Sequence, residues 1–68
     1  MNKNLLQRRI VTTKDIQVIL GKSARSARDF MKRMREHFNK KPGQYISVSE
    51  FCEFSGLTEA EVVDFFSL

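Results

Sequence analysis

The chain has few of the residues on which metal-binding and membrane-spanning proteins depend. Among its 68 residues there is one cysteine and one histidine. A lone Cys52 excludes an intrachain disulfide, and Cys52 with His37 gives no zinc-ligand spacing. No apolar run approaches the roughly 18 residues that a transmembrane helix needs. We therefore expect no metal, no cofactor, no small-molecule substrate and no contact with a membrane.

Arrangements typical of enzymes are also missing. The three glycines are isolated, which excludes a phosphate-cradling glycine loop, and His37 has no nearby nucleophile. The acidic pairs Glu50/Glu53 and Glu59/Glu61 are explained more simply as helix caps and a solvated surface. We expect that the chain is not an enzyme. Its basic start lacks an apolar stretch of signal-peptide length, so we expect a cytoplasmic location.

Basic residues are absent from the C-terminal part of the chain. Residues 1–41 hold all 12 Lys and Arg and three of the eight acids, a formal charge of +9. Residues 42–68 hold the other five acids, a formal charge of −5. Such a basic half favours a polyanion as partner. The alternative is a solvated surface whose two halves attract each other.

The chain repeats itself at an offset of 35 residues. Residues 12–23 align with residues 47–58, so that Gly21 matches Gly56 and Ser23 matches Thr58. The match continues with Ala27 on Val62, Asp29 on Asp64 and Phe30 on Phe65. Each copy has the pattern of a helix, a glycine turn and a second helix. The charges do not repeat, because the second helix is basic in the first copy and acidic in the second.

Capping residues predict the ends of four helices. The first begins after Thr13 as N-cap and ends at Gly21, and the second begins after Ser23 and runs to about His37 or Asn39. Ser47 with Glu50 and Thr58 with Glu61 are capping boxes for the third and fourth. Residues 40–43 are predicted to form a turn, and residues 44–48 a short strand that pairs with residues 10–12.

Apolar spacing predicts which side chains are buried. The predicted core residues are Ile16, Ile19, Leu20, Ala24, Ala27, Phe30, Met31, Met34, Phe38, Phe51, Cys52, Phe54, Val62, Phe65 and Phe66. The predicted fold is all-α with at most one minor pair of strands, a compact four-helix domain built from two helix-turn-helix-like units. Residues 1–68 form this single domain, with a flexible basic arm (1–9), a basic unit (12–39) and an acidic unit (46–68).

The basic unit has the pattern of a helix-turn-helix, in which the second helix enters the major groove of DNA. Residues near the start of that helix reach base edges, and Arg25 or Arg28 could bind guanine with two hydrogen bonds. The remaining candidate DNA-binding residues are Lys22, Ser23, Asp29, Lys32, Arg33 and Arg35, with Lys14, Lys40 and Lys41 as further phosphate contacts. For Asp29, an ion pair with Arg25 or Arg33 is favoured over accepting a hydrogen bond from cytosine.

Residues 12–35 resemble the small bacterial helix-turn-helix DNA-binding proteins, including the excisionase-like and MerR-like modules of transcription and mobile-element control. The resemblance rests on Asp15-Ile16, Ile19-Leu20-Gly21, Ser23 and Arg25-x-x-Arg28, and it covers about a third of the chain. The chain departs from that family at Gln17, where a small residue is usual, and at Lys22, where an apolar one is.

The favoured hypothesis is sequence-specific binding of double-stranded DNA by helix 23–37, in a transcriptional regulator or a recombination accessory factor. Because one half-site gives modest affinity, a homodimer, tandem binding or a larger protein partner is expected. The alternative is a protein-interaction module that uses the acidic, Phe-rich C-terminal half. RNA binding is weaker as a hypothesis, since residues 1–41 lack exposed aromatic residues for base stacking.

Overall fold

A computed structural model describes residues 9–66, which form a mostly helical, compact arrangement with two short strands. The order of elements is β1 (Ile10–Val11), α1 (Thr13–Leu20), α2 (Ala24–His37), β2 (Ile46–Ser47), α3 (Val48–Ser55) and α4 (Glu59–Val63). The four predicted helices and the short strand pair are confirmed. Most of the predicted basic arm, residues 1–8, lies outside the described residues. No helix within residues 9–66 has the length and apolar character that a membrane span requires.

The two strands join the beginnings of α1 and α3. They pair antiparallel, with Val11 opposite Ile46 and Ile10 opposite Ser47. Val11 and Ile46 are 2% and 0% exposed, so this pair is part of the core. The two residues are also 35 positions apart, which is the offset of the sequence repeat. This one pair of equivalent positions therefore lies directly opposite in the ladder, whereas Ile10 faces Ser47, the counterpart of Thr12.

Helix α1 begins one residue earlier than its sequence suggested, because its N-cap is Thr12 and not Thr13. The Oγ1 of Thr12 accepts a hydrogen bond from the backbone N–H of Asp15 at 3.1 Å, and Asp15 Oδ2 accepts from the backbone N–H of Thr12 at 2.9 Å. A capping box needs an acidic or amide side chain three residues after the cap, and only Thr12 has one. The helix ends at Gly21, whose φ of 66° is left-handed.

The other predicted caps are confirmed. Ser23 accepts a hydrogen bond from the backbone of Ser26 at the start of α2, and Ser47 with Glu50 and Thr58 with Glu61 form capping boxes on α3 and α4. Gly56 ends α3 with a φ of 83°. Both predicted glycine turns are thus present, one after each eight-residue helix.

The core forms where the inner sides of α1, α2 and α3 meet the strand pair. Its buried members are Val11, Ile16, Ala27, Met31, Met34, Ile46, Val48, Phe51, Cys52, Val62 and Phe66, with Ile19, Leu20, Phe30, Phe38, Phe54 and Leu57 packed partly buried against them. Phe30 of α2 contacts the rings of Phe51 and Phe54 edge-on, with centroid distances of 6.2 and 5.3 Å. These contacts hold α2 against α3.

Two predicted core residues lie outside the core. Ala24 is exposed because it is the first residue of α2, before the helix reaches its packing partners. Phe65 is 47% exposed because α4 ends at Val63, so helical spacing no longer sets the direction of its side chain. Phe66 is buried instead, and the guanidinium of Arg9 lies 4.6 Å from the centroid of its ring.

Candidate nucleic-acid interface

Helix α2 separates its apolar side chains from its charged ones. Ala27, Met31 and Met34 face the core and are at most 3% exposed. The charged residues lie on the remaining sides because steps of three and four residues keep an apolar series on one face. The core contacts of this apolar face therefore set which charged side chains face solvent.

Three basic residues share one exposed side of α2. Arg25, Arg28 and Lys32 are all exposed and follow one another at steps of three and four. Residues so spaced are neighbours on a helix surface. We call these three residues the basic stripe. It starts in the first turn of α2, one residue after Ala24, and Arg33 lies beside it as a further exposed cation.

Two predicted DNA-binding residues make contacts within the chain. The Nε of Arg35 donates a hydrogen bond to the backbone oxygen of Gln44 at 2.9 Å. The Nζ of Lys22 lies 5.5 Å from the ring centroid of Phe30. Both side chains are half-buried. The sequence had no signal for either contact, because each depends on how the fold places a second residue eight or nine positions away.

The loop between α2 and β2 is held by several hydrogen bonds. Gln44 contributes three of them: its carbonyl accepts from Arg35, its backbone N–H donates to the Lys41 carbonyl at 3.1 Å, and its Oε1 accepts from the Lys41 N–H at 2.7 Å. The loop also contains Asn39 with a left-handed φ of 61°. Lys41 itself is exposed, so it presents a cation on a loop whose backbone is held by these hydrogen bonds.

Lys40, another candidate phosphate contact, forms an ion pair inside the chain. Its Nζ lies 3.1 Å from Oε2 of Glu50 on α3. Partial burial raises the pKa of Glu50, but the hydrogen bond from the Ser47 backbone and the charge of Lys40 outweigh it, so the pKa is lowered from its ordinary value. The pair fastens the loop to α3, and Lys40 is less available to DNA than Lys41.

Asp29 does not form the ion pair that its sequence neighbours suggested. It is exposed on α2, and within residues 9–66 its carboxylate makes neither an ion pair nor a hydrogen bond, including with Arg25 or Arg33. The predicted ion pair of Asp29 with Arg25 or Arg33 is therefore wrong. Exposed pairs of this kind gain little, because ordering two side chains offsets most of the Coulomb attraction.

The acidic copy has no counterpart of the basic stripe. At the 35-residue offset, Arg25 and Arg28 correspond to Ala60 and Val63, and α4 is only five residues long. Both acids of its first turn, Glu59 and Glu61, complement the positive end of a helix dipole. A surface with these charges repels phosphate.

The remaining candidate chemical groups are Cys52 and His37, and both pack against other side chains. Cys52 is buried, and its pKa is raised by burial and by the negative charges of Glu59 and Glu61, so its thiol stays protonated. His37 is exposed and packs edge-on against Phe38 and Phe54. Across residues 9–66 no three His, Cys, Asp or Glu side chains cluster closely enough to hold a metal ion.

Comparisons of the chain with protein-family models, with curated proteins and with solved structures found no significant match.

Proposed function

We propose that the protein binds double-stranded DNA by placing α2 in the major groove. The basic stripe of Arg25, Arg28 and Lys32 supports this most directly. Its three cations lie on one exposed side of a helix whose opposite side packs against the core. The helix has 14 residues and hence a length of about 21 Å. Its N-terminal half presents Arg25 and Arg28, whose guanidinium groups match guanine O6 and N7.

In this proposal α1 and α2 are a helix-turn-helix joined at Gly21. Ile16 and Leu20 of α1 pack with Ala27 and Phe30 of α2 in the same core cluster, which would fix the angle at which α2 projects. On the same proposal β2, α3 and α4 would be a second unit, since they follow the same order of strand, cap, helix and glycine turn. Its acidic surface suits it to supporting the first unit and not to reading DNA.

Other cations would contact phosphates on either side of the groove. Lys14, Arg33 and Lys41 are exposed and suited to this role, Ser23 adds a hydroxyl at the start of α2, and Arg35 and Lys22 would contribute less because of their internal contacts. Phosphate contacts release counterions, so binding should weaken steeply as salt rises. The affinity of one short helix is modest, and a homodimer, tandem copies or a larger protein partner would increase it.

The biological role that fits these properties is that of a transcriptional regulator or a recombination accessory factor. The second candidate function is protein binding by the acidic C-terminal half. One observation favours it: Phe65 is 47% exposed in the same segment as the exposed carboxylate of Glu61. This surface would suit a basic, partly apolar partner.

The test is binding of a random-sequence duplex library at low and at physiological salt, with affinity measured by fluorescence anisotropy and sequence preference by sequencing of the bound DNA. The double variant Arg25→Ala, Arg28→Ala should lose sequence preference as well as affinity. A control with the same loss of charge, Arg33→Ala with Lys41→Ala, should weaken binding to all sequences about equally. Circular dichroism verifies that both variants fold.

Two results would sink the DNA-binding proposal. One is the absence of duplex binding by the wild-type protein even at low salt, and the other is unchanged binding by the Arg25→Ala, Arg28→Ala variant. Competition with single-stranded RNA is an additional arm. If RNA displaces duplex DNA at an equal nucleotide concentration, the protein prefers single strands and major-groove recognition is contradicted.

A further inference from the structure

We propose that Asp29 is a base-discriminating contact, which accepts a hydrogen bond from the exocyclic amine of a cytosine in the major groove. This inference rests on the proposed DNA binding by α2 and assigns a chemical preference to one position of its target. It starts from the unpaired carboxylate of Asp29 within the described part of the chain.

Asp29 lies among the residues that would approach the bases. It is four residues after Arg25 and three before Lys32, so it is next to the basic stripe on the helix surface. It also lies in the N-terminal half of α2, which is the part of a recognition helix that contacts base edges. Because its carboxylate forms no ion pair within residues 9–66, including with Arg25 or Arg33, we take both oxygens as acceptors for a base.

The chemistry of a carboxylate restricts what can face it. An ionised carboxylate only accepts hydrogen bonds, and it repels phosphates and the acceptor atoms O6 and N7 of guanine and O4 of thymine. Cytosine presents the N4 amine as a donor, whereas adenine places its N7 acceptor beside its N6 amine. Cytosine is therefore the base that Asp29 should select, and every other base should be disfavoured.

Glu36 provides the matched control. It is also exposed on α2, and it follows Asp29 by seven residues, or about two helical turns, so both lie on the same side. Its charge is the same, but it is in the last turn, away from the half that would contact bases. A general effect of negative charge should appear at both residues, and base discrimination only at Asp29.

The experiment is selection from a random duplex library with wild type, Asp29→Ala, Asp29→Asn and Glu36→Gln, followed by sequencing of the bound DNA. Wild type should enrich a motif in which one position prefers cytosine by about tenfold. Asp29→Ala should lose the preference at that position alone. Asp29→Asn should shift it to adenine, because an amide matches adenine N6 and N7. Glu36→Gln should keep the wild-type motif.

The outcomes separate this inference from the proposed function. If wild type binds DNA with a motif that Asp29→Ala leaves unchanged, Asp29 does not discriminate bases and only this inference fails. It also fails if Asp29→Asn and Glu36→Gln merely strengthen binding to all sequences equally, since the carboxylate then acts through charge alone. If wild type binds no duplex DNA, the proposed function fails first.

Discussion

Substitution of Glu50 by Gln should destabilise the protein by about 1 kcal/mol at neutral pH. Glu50 Oε1 accepts the Ser47 backbone N–H at 2.9 Å, and Oε2 pairs with Lys40 Nζ at 3.1 Å. Gln keeps an oxygen for the N–H but loses the charge. The lost ion pair is worth about 0.5 kcal/mol, and a neutral acceptor in place of a charged one costs a similar amount.

The effect should depend on pH in a defined direction. The pKa of Glu50 is lowered in the folded protein, so the unfolded chain takes up a proton more readily. Stability from the charged carboxylate is therefore fully present above the unfolded pKa and is lost as pH falls through the folded pKa. The difference between wild type and Glu50→Gln should be largest near pH 7 and shrink toward about pH 3, below the ordinary range of a Glu carboxyl.

The repeat supplies a control for this prediction. Asp15 occupies the same place in the Thr12 capping box but has no basic partner within ion-pair distance among residues 9–66. Asp15→Asn should therefore cost about half as much as Glu50→Gln. A double-mutant cycle with Lys40→Met should give a coupling of about 0.5 kcal/mol with Glu50→Gln and none with Asp15→Asn.

Urea unfolding followed by far-UV circular dichroism measures all of these free energies. The reasoning is refuted if Glu50→Gln is as stable as wild type at neutral pH, or if its deficit does not change with pH. Equal deficits for Glu50→Gln and Asp15→Asn, with no coupling to Lys40, would show that the ion pair contributes nothing.

Three further predictions concern the fold. Gly21→Ala should lower the free energy of unfolding by about 1 kcal/mol, and Gly21→Asn by less. An added Cβ meets no atom within 4 Å, so only the left-handed φ is unfavourable. Equal urea midpoints for Gly21→Ala and wild type would contradict this. Phe51→Ala should cost about 3–5 kcal/mol, since its fully buried ring contacts Phe30, and should leave little cooperative unfolding; a sharp transition near the wild-type midpoint would be inconsistent. Cys52 should react with a thiol-specific reagent only slowly in the folded protein and rapidly in urea, because burial shields it and raises its pKa; fast reaction of the native thiol would argue against its place in the core.

The helix ends were predictable because their causes are local. A capping hydroxyl bonds a backbone N–H three residues away, and a glycine turn needs only one residue that tolerates a positive φ. The immediate neighbours of Ser23, Ser47, Thr58 and Gly56 accordingly predict their capping roles, and the structure confirms all four. The predicted N-cap Thr13 is wrong, and the same local rule favours Thr12, because Asp15 stands three residues after it.

The sequence predicts the helix that carries the candidate site and the residues on it. It does not predict which of these residues make contacts within the chain. Arg25, Arg28 and Lys32 share a face because helical spacing requires it, and all three are exposed. The partners of Arg35 and Lys40 lie nine and ten residues away, beyond the turn after α2. Whether an exposed residue such as Asp29 forms an ion pair depends on a free-energy difference of about 1 kcal/mol or less. Residue spacing alone does not predict a difference that small.

The amino acids alone therefore determine the sequence repeat, the helix caps, the glycine turns and the division of charge between the halves, since each depends on neighbouring residues or on composition. The folded arrangement decides that Val11 lies opposite its own counterpart Ile46, that Phe66 is buried in place of Phe65, and that Asp29 forms no ion pair within residues 9–66. These features depend on how segments that are distant in the sequence pack against each other. The same tertiary contacts bury one side of α2 and leave the basic stripe facing solvent.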